Sequence, residues 1–312
     1  MSKPTTIGIY INSSGRASWI RTTEQLPRSW KDIVHIVVPH AEFTEYKKNN
    51  RGWNIIALPP DCPPYLSSQR QWVTQHAEED YIWMMDDDLR FRVRTPDDPE
   101  KLTRKTTTTD MGALYTLITD LANIDWRVIG VSVHAGNHVV PEDFTYNTRV
   151  TRCFCFCRKT YNKLKINLAP YEPFAMQDFL LGLSFLYNGY SNIVIYKYMQ
   201  DEFESSTKRG GGCARYRSTD VMFNATKYLQ RKFPGGIVQI KNKRSKAAWG
   251  ARASGLKQQK SMRDGDQTMY SWRPDVIVNW QKAYEIGCKR TGANHEEGKG
   301  ISSFLDLKKG RY

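Results

Sequence analysis

The sequence predicts an α/β fold in which a mixed, mostly parallel sheet is sandwiched by helices. Three observations predict it. Short apolar runs alternate with segments of helical periodicity over the first two thirds of the chain. The runs are apolar on both alternating faces, as in strands covered by helices on both sides. Asn, Pro or Asp directly follows each of the first four runs, as expected where a buried strand ends.

The predicted elements follow one another as strand and helix. Strands are predicted at residues 7–11, 33–38, 53–58, 81–85, 128–133, 152–158 and 192–196, and helices at 41–49, 66–79, 110–123, the segment leading from 174 to 183, and 220–232. The strands at 128–133 and 152–158 are expected to form a hairpin-like layer on the acceptor side. Residues 92–109 are rich in Arg, Lys, Thr and Pro without apolar periodicity, which predicts a loop beside residues 86–88.

Charge divides the chain into two parts. The net charge of the 312 residues is +14, and residues 201–312 alone carry 23 Lys and Arg against 11 Asp and Glu. We therefore predict a main domain at 1–220 and a basic C-terminal region at 221–312. Such asymmetry favours a polyanionic partner, either nucleic acid or an anionic membrane surface, although a basic tail without a specific partner is an alternative. No apolar run reaches the ~20 residues of a membrane span and the start lacks a signal-peptide core, so a cytoplasmic protein with no membrane partner is expected.

Three consecutive aspartates, Asp86, Asp87 and Asp88, follow the apolar run at 81–85. Adjacent carboxylates repel one another, and ligands of open α/β sheets bind outside the carboxyl ends of the strands. A hard divalent cation, Mg²⁺ or Mn²⁺, would make this cluster favourable because it takes carboxylate and phosphate oxygens as ligands. The alternative is a solvated acidic turn.

Two further segments fit a phosphate-containing ligand. The polar turn from Asn12 to Arg16 follows the first strand, where α/β proteins hold the nucleotide part of a ligand, and Arg70 lies near the start of a helix. Lys208, Arg209 and Arg215 flank three consecutive glycines, so backbone N–H groups and cations could close over phosphate oxygens. A flexible linker is the alternative for the glycine segment.

Asp178 falls in the first turn of an apolar helix, where the helix dipole lowers the pKa of a carboxylate. It could serve as a base, or simply cap the helix. In the basic region, a run of cations with a nearby aromatic side chain is typical of nucleic-acid contacts, with a solvated loop as the alternative. The members of this run are Lys241, Lys243, Arg244, Lys246 and Trp249.

A buried strand ending in an Asp-x-Asp cluster after about 80 residues of strand–helix units resembles the GT-A glycosyltransferases. The resemblance implies that Asp86 and Asp88 hold Mn²⁺ or Mg²⁺ on the diphosphate of a nucleotide-sugar, with Asp88 the main ligand. It places Asp86 near the ribose and sugar of the donor and Asp87 between the two. Gln177-Asp178 stands where many inverting members have Glu-Asp, which implies that Asp178 is the catalytic base.

More narrowly, residues 81–88 and the basic last third resemble the phage TET-associated glycosyltransferases. That resemblance implies transfer from a UDP-sugar to hydroxymethylated pyrimidines in double-stranded phage DNA, in the host cytoplasm. A glycan, lipid or protein acceptor is the nearest alternative. A nucleotidyltransferase or metal nuclease and a non-catalytic DNA-binding protein are the others. The first would need a second carboxylate strand, and the second leaves the three aspartates unexplained.

Overall fold

The computed structural model describes residues 4–95, 103–135, 137–203, 216, 218–245, 259–261 and 270–293. A ten-stranded sheet forms the centre of the molecule in the strand order β3-β2-β1-β4-β9-β7-β10-β5-β6, with β8 paired to β10. The strands are β1 (Ile7–Asn12), β2 (Val34–Val38), β3 (Asn54–Ala57), β4 (Tyr81–Asp86), β5 (Leu89–Arg94), β6 (Thr103–Lys105), β7 (Val128–Val133), β8 (Phe144–Tyr146), β9 (Cys153–Cys157) and β10 (Ile193–Glu202).

The sheet is mixed and mostly parallel, as predicted. From the pairings, β1 to β4, β6, β7 and β10 run in one direction, and β5, β8 and β9 run in the other. The helices are α1 (Phe43–Asn49), α2 (Leu66–His76), α3 (Thr108–Asn123), α4 (Arg158–Lys163), α5 (Gln177–Leu186), α6 (Thr219–Lys232) and α7 (Trp280–Thr291).

Apolar side chains bury both faces of the central strands. In β4, Tyr81, Trp83 and Met85 join one core cluster, which includes the apolar face of α3. Ile82 and Met84 point the other way and join a second cluster that includes residues of α2 and α5. This two-sided burial explains why the strand is apolar at every position up to Asp86.

Two sequence predictions about strands are corrected by the structure. Residues 92–109 are not a single loop, because β5 and β6 pair antiparallel and α3 already begins at Thr108. Phe91 and Val93 are buried, whereas Arg90, Arg92 and Arg94 face outward. Only every second residue of this strand is therefore apolar, and no continuous apolar run indicates it in the sequence. The strands at 128–133 and 152–158 are β7 and β9, which are antiparallel neighbours, but they are inner strands of the main sheet and β8 lies between them in sequence, so they do not form a hairpin-like layer.

The C-terminal part adds a three-stranded sheet in the order β11-β13-β12, formed by β11 (Val238–Ser245), β12 (Gln259–Ser261) and β13 (Tyr270–Val278). A third apolar cluster packs α5 together with α6 and α7, and Leu180, Leu229 and Ala283 are completely buried in it. The division of the chain after residue 220 stays a prediction, and this cluster joins the two parts through α5. Within the described segments, no helix is both long enough and apolar enough to cross a membrane.

Candidate functional site

The parallel strands β1 and β4 end side by side, with Asn12 opposite Asp86 in the register. Asn12 is buried, and its side-chain nitrogen and oxygen have no hydrogen-bond partner among the described residues. A buried amide without partners costs free energy, so its polar atoms are free for a ligand that reaches this edge. The predicted position of Asn12 at the mouth of a site is therefore consistent with its surroundings.

The three aspartates have different partners. Arg70 donates to Asp86 at 2.5 Å. Asp87 accepts from Ser13 at 2.5 Å on one oxygen and from Arg16 at 2.6 Å on the other. The same Arg16 nitrogen lies 3.1 Å from Asp88. Both oxygens of Asp87 are thus used inside the protein, where they fix the turn that follows β1.

The backbone of the aspartate segment is held by a threonine from an earlier turn. Thr22 donates its hydroxyl to the Asp86 carbonyl at 2.6 Å and its N–H to the Asp87 carbonyl at 3.2 Å. Its hydroxyl oxygen accepts the Leu89 N–H at 2.9 Å. On the other side, Phe203 at the end of β10 donates its N–H to the Asp88 carbonyl at 2.7 Å. The aspartates therefore stand on a rigid segment.

The three adjacent aspartates at this edge bring more negative charge together than Arg16 neutralises. Burial, followed by the charges of Asp86 and Asp87, raises the pKa of Asp88 well above its ordinary value, although Arg16 opposes the shift. Burial also raises the pKa of Asp87. The segment therefore favours an additional positive charge nearby.

Asp86 and Asp88 are the residues that could hold a metal ion. One oxygen of each carboxylate has no hydrogen bond or ion pair within the described part of the chain. The described residues contain no group of three or more His, Cys, Asp or Glu side chains arranged around one point. Two carboxylates still fit Mg²⁺ or Mn²⁺, because such an ion is commonly held by one or two carboxylates together with substrate phosphates and water.

Asp178, at the second position of α5, is held from outside its helix. Arg149 donates to it at 3.0 Å, and Thr151 adds a hydrogen bond. Burial disfavours the charged carboxylate, but Arg149, Thr151 and Arg70 outweigh it and lower the pKa of Asp178. The Arg149 guanidinium also lies 4.2 Å from the centre of the Phe179 ring, which fixes its position.

Arg70 connects the two acidic groups. Its side chain is almost completely buried, lies over Phe154 at 5.4 Å, and is ion-paired to Asp86 while its charge reaches Asp178. The structure thus brings together six of the predicted site residues, including both predicted functional carboxylate groups. They are Asn12, Arg16, Arg70, Asp86, Asp88 and Asp178. Asp87 holds Arg16 in place through an ion pair.

The other predicted site residues belong to the glycine segment and to the C-terminal region. Lys208, Arg209, Arg215, Lys246 and Trp249 lie outside the described residues. The backbone of Lys241, Lys243 and Arg244 forms part of β11, paired with β13. Tyr216, next to the glycine segment, contacts Tyr65 edge to face and accepts the Leu66 N–H at 3.1 Å, so the chain returns there to the start of α2.

The sequence alone did not identify three of the side chains at this site. Ser13 was part of a predicted turn but had no assigned role, and Arg149 and Thr151 lie in a segment without periodicity. Their partners are distant in sequence, with a separation of 74 residues for Ser13 and Asp87 and of 29 for Arg149 and Asp178. Only the strand order brings these pairs together.

Comparison with known proteins gives a family and several structural likenesses. A family model described as TET-Associated Glycosyltransferase matches residues 7–211. No curated protein sequence matches the chain. Among solved structures, TarS 1-349 of S. aureus is 11% identical, with a TM-score of 0.41 over 72% of this chain and 66% of that one, so this chain spans slightly less than two thirds of it.

Two other solved structures have similar scores. Glucosyl-3-phosphoglycerate synthase from Mycobacterium tuberculosis, in complex with Mg²⁺ and uridine-diphosphate, is 11% identical with a TM-score of 0.44, over 76% of this chain and 84% of that one. GalNAc-T7 with UDP, GalNAc and Mn²⁺ is 10% identical with a TM-score of 0.46, over 74% and 48%. The assignment rests on the family model, which spans about two thirds of the chain and all of the site described above. The chain therefore belongs to the TET-associated glycosyltransferase family and is a glycosyltransferase.

Proposed function

We propose that this enzyme transfers a sugar from a nucleotide diphosphate donor, a UDP-sugar, to hydroxymethylated pyrimidines in phage DNA, and that it depends on Mn²⁺ or Mg²⁺. The observation that carries the proposal is that the buried Arg70 links Asp86 to Asp178, while Asp88 lies two residues after Asp86 at the same edge of the sheet. It provides a site for a cation and diphosphate beside a separate carboxylate. The family membership supports the transfer reaction, and the basic charge after residue 200 supports a polyanionic acceptor.

Each group has a role that follows from its surroundings. Asp86 and Asp88 would hold the metal ion, which stabilises the negative charge of the departing diphosphate when bound. Asn12 and Arg16 face the nucleotide end of the donor, and Arg70 orients Asp86. Asp178 is kept ionised by Arg149 and accepts the proton of the attacking hydroxyl. Lys208, Arg209 and Arg215 are proposed to contact the diphosphate.

Two carboxylates with opposite pKa shifts support this division of roles. The pKa of Asp178 is lowered and that of Asp88 is raised, so only Asp178 is ready to act as a base without a bound cation. A nuclease or nucleotidyltransferase using two metals would need more carboxylates near Asp86 and Asp88. The described residues provide no group of three such ligands.

The test measures sugar transfer to DNA, with a variant of the proposed metal-binding residue Asp88 as the control. Wild-type enzyme is incubated with UDP-sugars, Mn²⁺ and duplex DNA containing hydroxymethylated or unmodified pyrimidines, and the nucleosides are analysed by mass spectrometry. We expect a hexose adduct on the hydroxymethylated base alone. Asp88→Ala should reduce transfer by ~10³-fold or more, as expected when transition-state charge stabilisation is lost, with an unchanged far-UV circular dichroism spectrum.

Two results would contradict the proposal. Transfer by Asp88→Ala at the wild-type rate, in metal-buffered Mn²⁺, would exclude this cluster as the metal site. If hydroxymethylated DNA carried no adduct and a glycan, lipid or protein substrate did, DNA would be excluded as the acceptor. The proposed donor site would be unaffected by that result.

A further inference from the structure

The β5–β6 hairpin beside the site carries cationic side chains on its outward face. In β5, Leu89, Phe91 and Val93 are buried in the core, and the arginines that alternate with them, Arg90, Arg92 and Arg94, point the other way. Lys105 of β6 lies opposite Arg92, and residues opposite one another in an antiparallel pair point to the same face. We refer to Arg90, Arg92 and Lys105 as the hairpin stripe.

Arg94, the last arginine of β5, differs from the stripe because it has a structural role. It donates five hydrogen bonds to residues 137–142, one to the Asn137 side chain and four to backbone carbonyls. Those contacts fix the segment after β7. Arg90 is partly engaged, with one nitrogen 3.0 Å from Asp201 and its guanidinium 5.5 Å from the Phe203 ring centre.

Arg92 has no such role within the described segments. It forms no hydrogen bond or ion pair there, and its half-buried side chain leaves a buried Nε without an acceptor. Lys105 is exposed. The aliphatic part of such an arginine is packed against the protein, while its N–H groups have no acceptor. Binding of an external anion is favourable there, because it would supply the missing acceptors.

The spacing of the stripe suits a chain of phosphates. Arg90 and Arg92, two residues apart on β5, are separated by roughly 6.6 Å, which is close to the distance between successive phosphates along a nucleic-acid strand. Lys105 lies beside Arg92 on the neighbouring strand. β5 begins at Leu89, directly after Asp88, so the stripe starts at the catalytic edge and leads away from it. A polyanion lying on the stripe therefore passes beside Asp86 and Asp88.

We propose that the hairpin stripe binds the phosphate backbone of the acceptor DNA, an inference that rests on the proposed function. Arg92 and Lys105 contact phosphates, and Arg90 contributes charge at the end nearest the site. These contacts would position the strand that carries the modified base, while the basic residues of the C-terminal region contact the duplex elsewhere. Phosphate contacts of this kind act on affinity and register without reading sequence.

The chain offers a matched control on the same hairpin. Arg104 adjoins Lys105 in sequence, but it lies opposite Val93, on the other face, and is ion-paired to Asp110 at 2.6 Å. Replacing it with Gln removes one charge next to the stripe without touching the stripe. The test compares Arg92→Gln combined with Lys105→Gln, Arg104→Gln alone, and wild type, with a urea unfolding curve for each to confirm that it is folded under the binding conditions.

Binding to a fluorescein-labelled hydroxymethylated duplex is measured by anisotropy from about 50 to 200 mM salt, the range over which phosphate contacts weaken steeply. Each lost contact should lower the log–log salt slope by ~0.9, so the double variant should lose ~1.8. Arg104→Gln should keep the wild-type slope. UDP affinity should be equal in all three proteins, because none of these residues contacts the donor site.

The outcomes separate this inference from the proposed function. If wild type modifies the duplex and the double variant keeps both slope and affinity, the stripe is not a phosphate-binding surface. Loss of slope only on charge reversal of Lys243, Arg244 and Lys246 would likewise exclude the stripe and assign the DNA to the C-terminal region. A wild type that neither binds nor modifies the duplex would overturn the proposed acceptor, and the inference with it.

Discussion

Asp110 and Asp178 each lie in the first turn of a helix, each exposes 14% of its side chain, and each has a lowered pKa. Asp110 caps its own helix: it accepts from the Thr107 N–H at 2.6 Å, while the Thr107 hydroxyl accepts the Asp110 N–H in return. Asp178 accepts no hydrogen bond from the described backbone of α5, and its partners Arg149 and Thr151 come from the segment before β9.

The difference separates a structural carboxylate from a candidate base. A hydrogen bond from Arg104 contributes most to the lowered pKa of Asp110, and the capping bonds add to it, so all of its partners stabilise the start of α3. Asp178 is kept charged by Arg149, Thr151 and Arg70, and the last of these is also ion-paired to Asp86. Position in a helix and a low pKa are therefore insufficient to distinguish the two roles. The partners do differ in sequence distance, because Arg104 is 6 residues from Asp110 and Arg149 is 29 residues from Asp178.

The largest expected effect is on turnover in Asp178→Asn. The amide keeps the size and shape of the carboxylate but cannot accept the proton, so we expect turnover at saturating donor to fall by ~10²-fold or more. Donor affinity, measured by titration with UDP and Mn²⁺, should stay within about twofold of wild type, because the variant changes no donor contact.

Asp110→Asn is the matched control for this measurement, since it makes the same chemical change in the first turn of another helix. It should leave turnover unaffected. If Asp178→Asn instead kept its turnover and only lowered the unfolding midpoint, the two aspartates would be equivalent and Asp178 would be a structural residue.

A second experiment moves the pKa of Asp178 without altering the residue. In Arg149→Met the largest remaining influence on Asp178 is burial, which raises its pKa. Since the base acts in its ionised form, the acid limb of the kcat/KM profile should move to higher pH. A shift of about one pH unit corresponds to a loss of up to ~10-fold at acidic pH values below the pKa of Asp178 in both proteins, and to little loss at neutral pH or at pH 8.

Arg158→Met is the control, because Arg158 donates to the Glu78 and Glu79 carbonyls before β4, at the opposite end of the strand from Asp86. Its profile should match wild type. A uniform loss at every pH in Arg149→Met, with no movement of the acid limb, would show that Arg149 acts on acceptor binding or folding instead of on the pKa of Asp178.

How much of the fold can be predicted from the sequence depends on whether a strand is buried on one face or on both. β4 is covered on both faces, so its apolar run up to Asp86 identifies it without further information. β5 is covered on one face only, and its outward Arg90, Arg92 and Arg94 make the segment resemble a loop. Its pairing with β10 lies more than 100 residues away, as the Arg90–Asp201 separation of 111 residues shows, so no local pattern contains it.

The site follows a similar rule. The proximity of Asn12, Asp86 and Asp88 could be predicted because they lie at or just after the carboxyl ends of β1 and β4, and strands of an α/β sheet present these ends at a common edge. Arg70 could be predicted near them because it lies in the first half of α2. The contacts that set the pKa of Asp178 could not be predicted, since Arg149 is brought to α5 by the strand order β4-β9-β7-β10. Chemistry carried by a single segment is visible in the sequence, and chemistry shared between segments is not.

The smallest expected effect is on stability in Asp110→Asn, and it tests whether this carboxylate is purely structural. The pKa of Asp110 is lowered to about 2 in the folded protein, against about 3.9 in unfolded chains. Its contribution is therefore fully present above pH ~4 and is lost as the pH falls through about 2. At pH 7 the variant should lose ~1 kcal/mol of unfolding free energy in urea titrations, the usual size of a capping interaction. The deficit should shrink at pH 3, because at that pH the unfolded chain already binds a proton at Asp110 while the folded protein largely does not. An equal deficit at pH 7 and pH 3 would show that the ionised Asp110 carboxylate does not stabilise α3, and the distinction between the two aspartates would then rest on turnover alone.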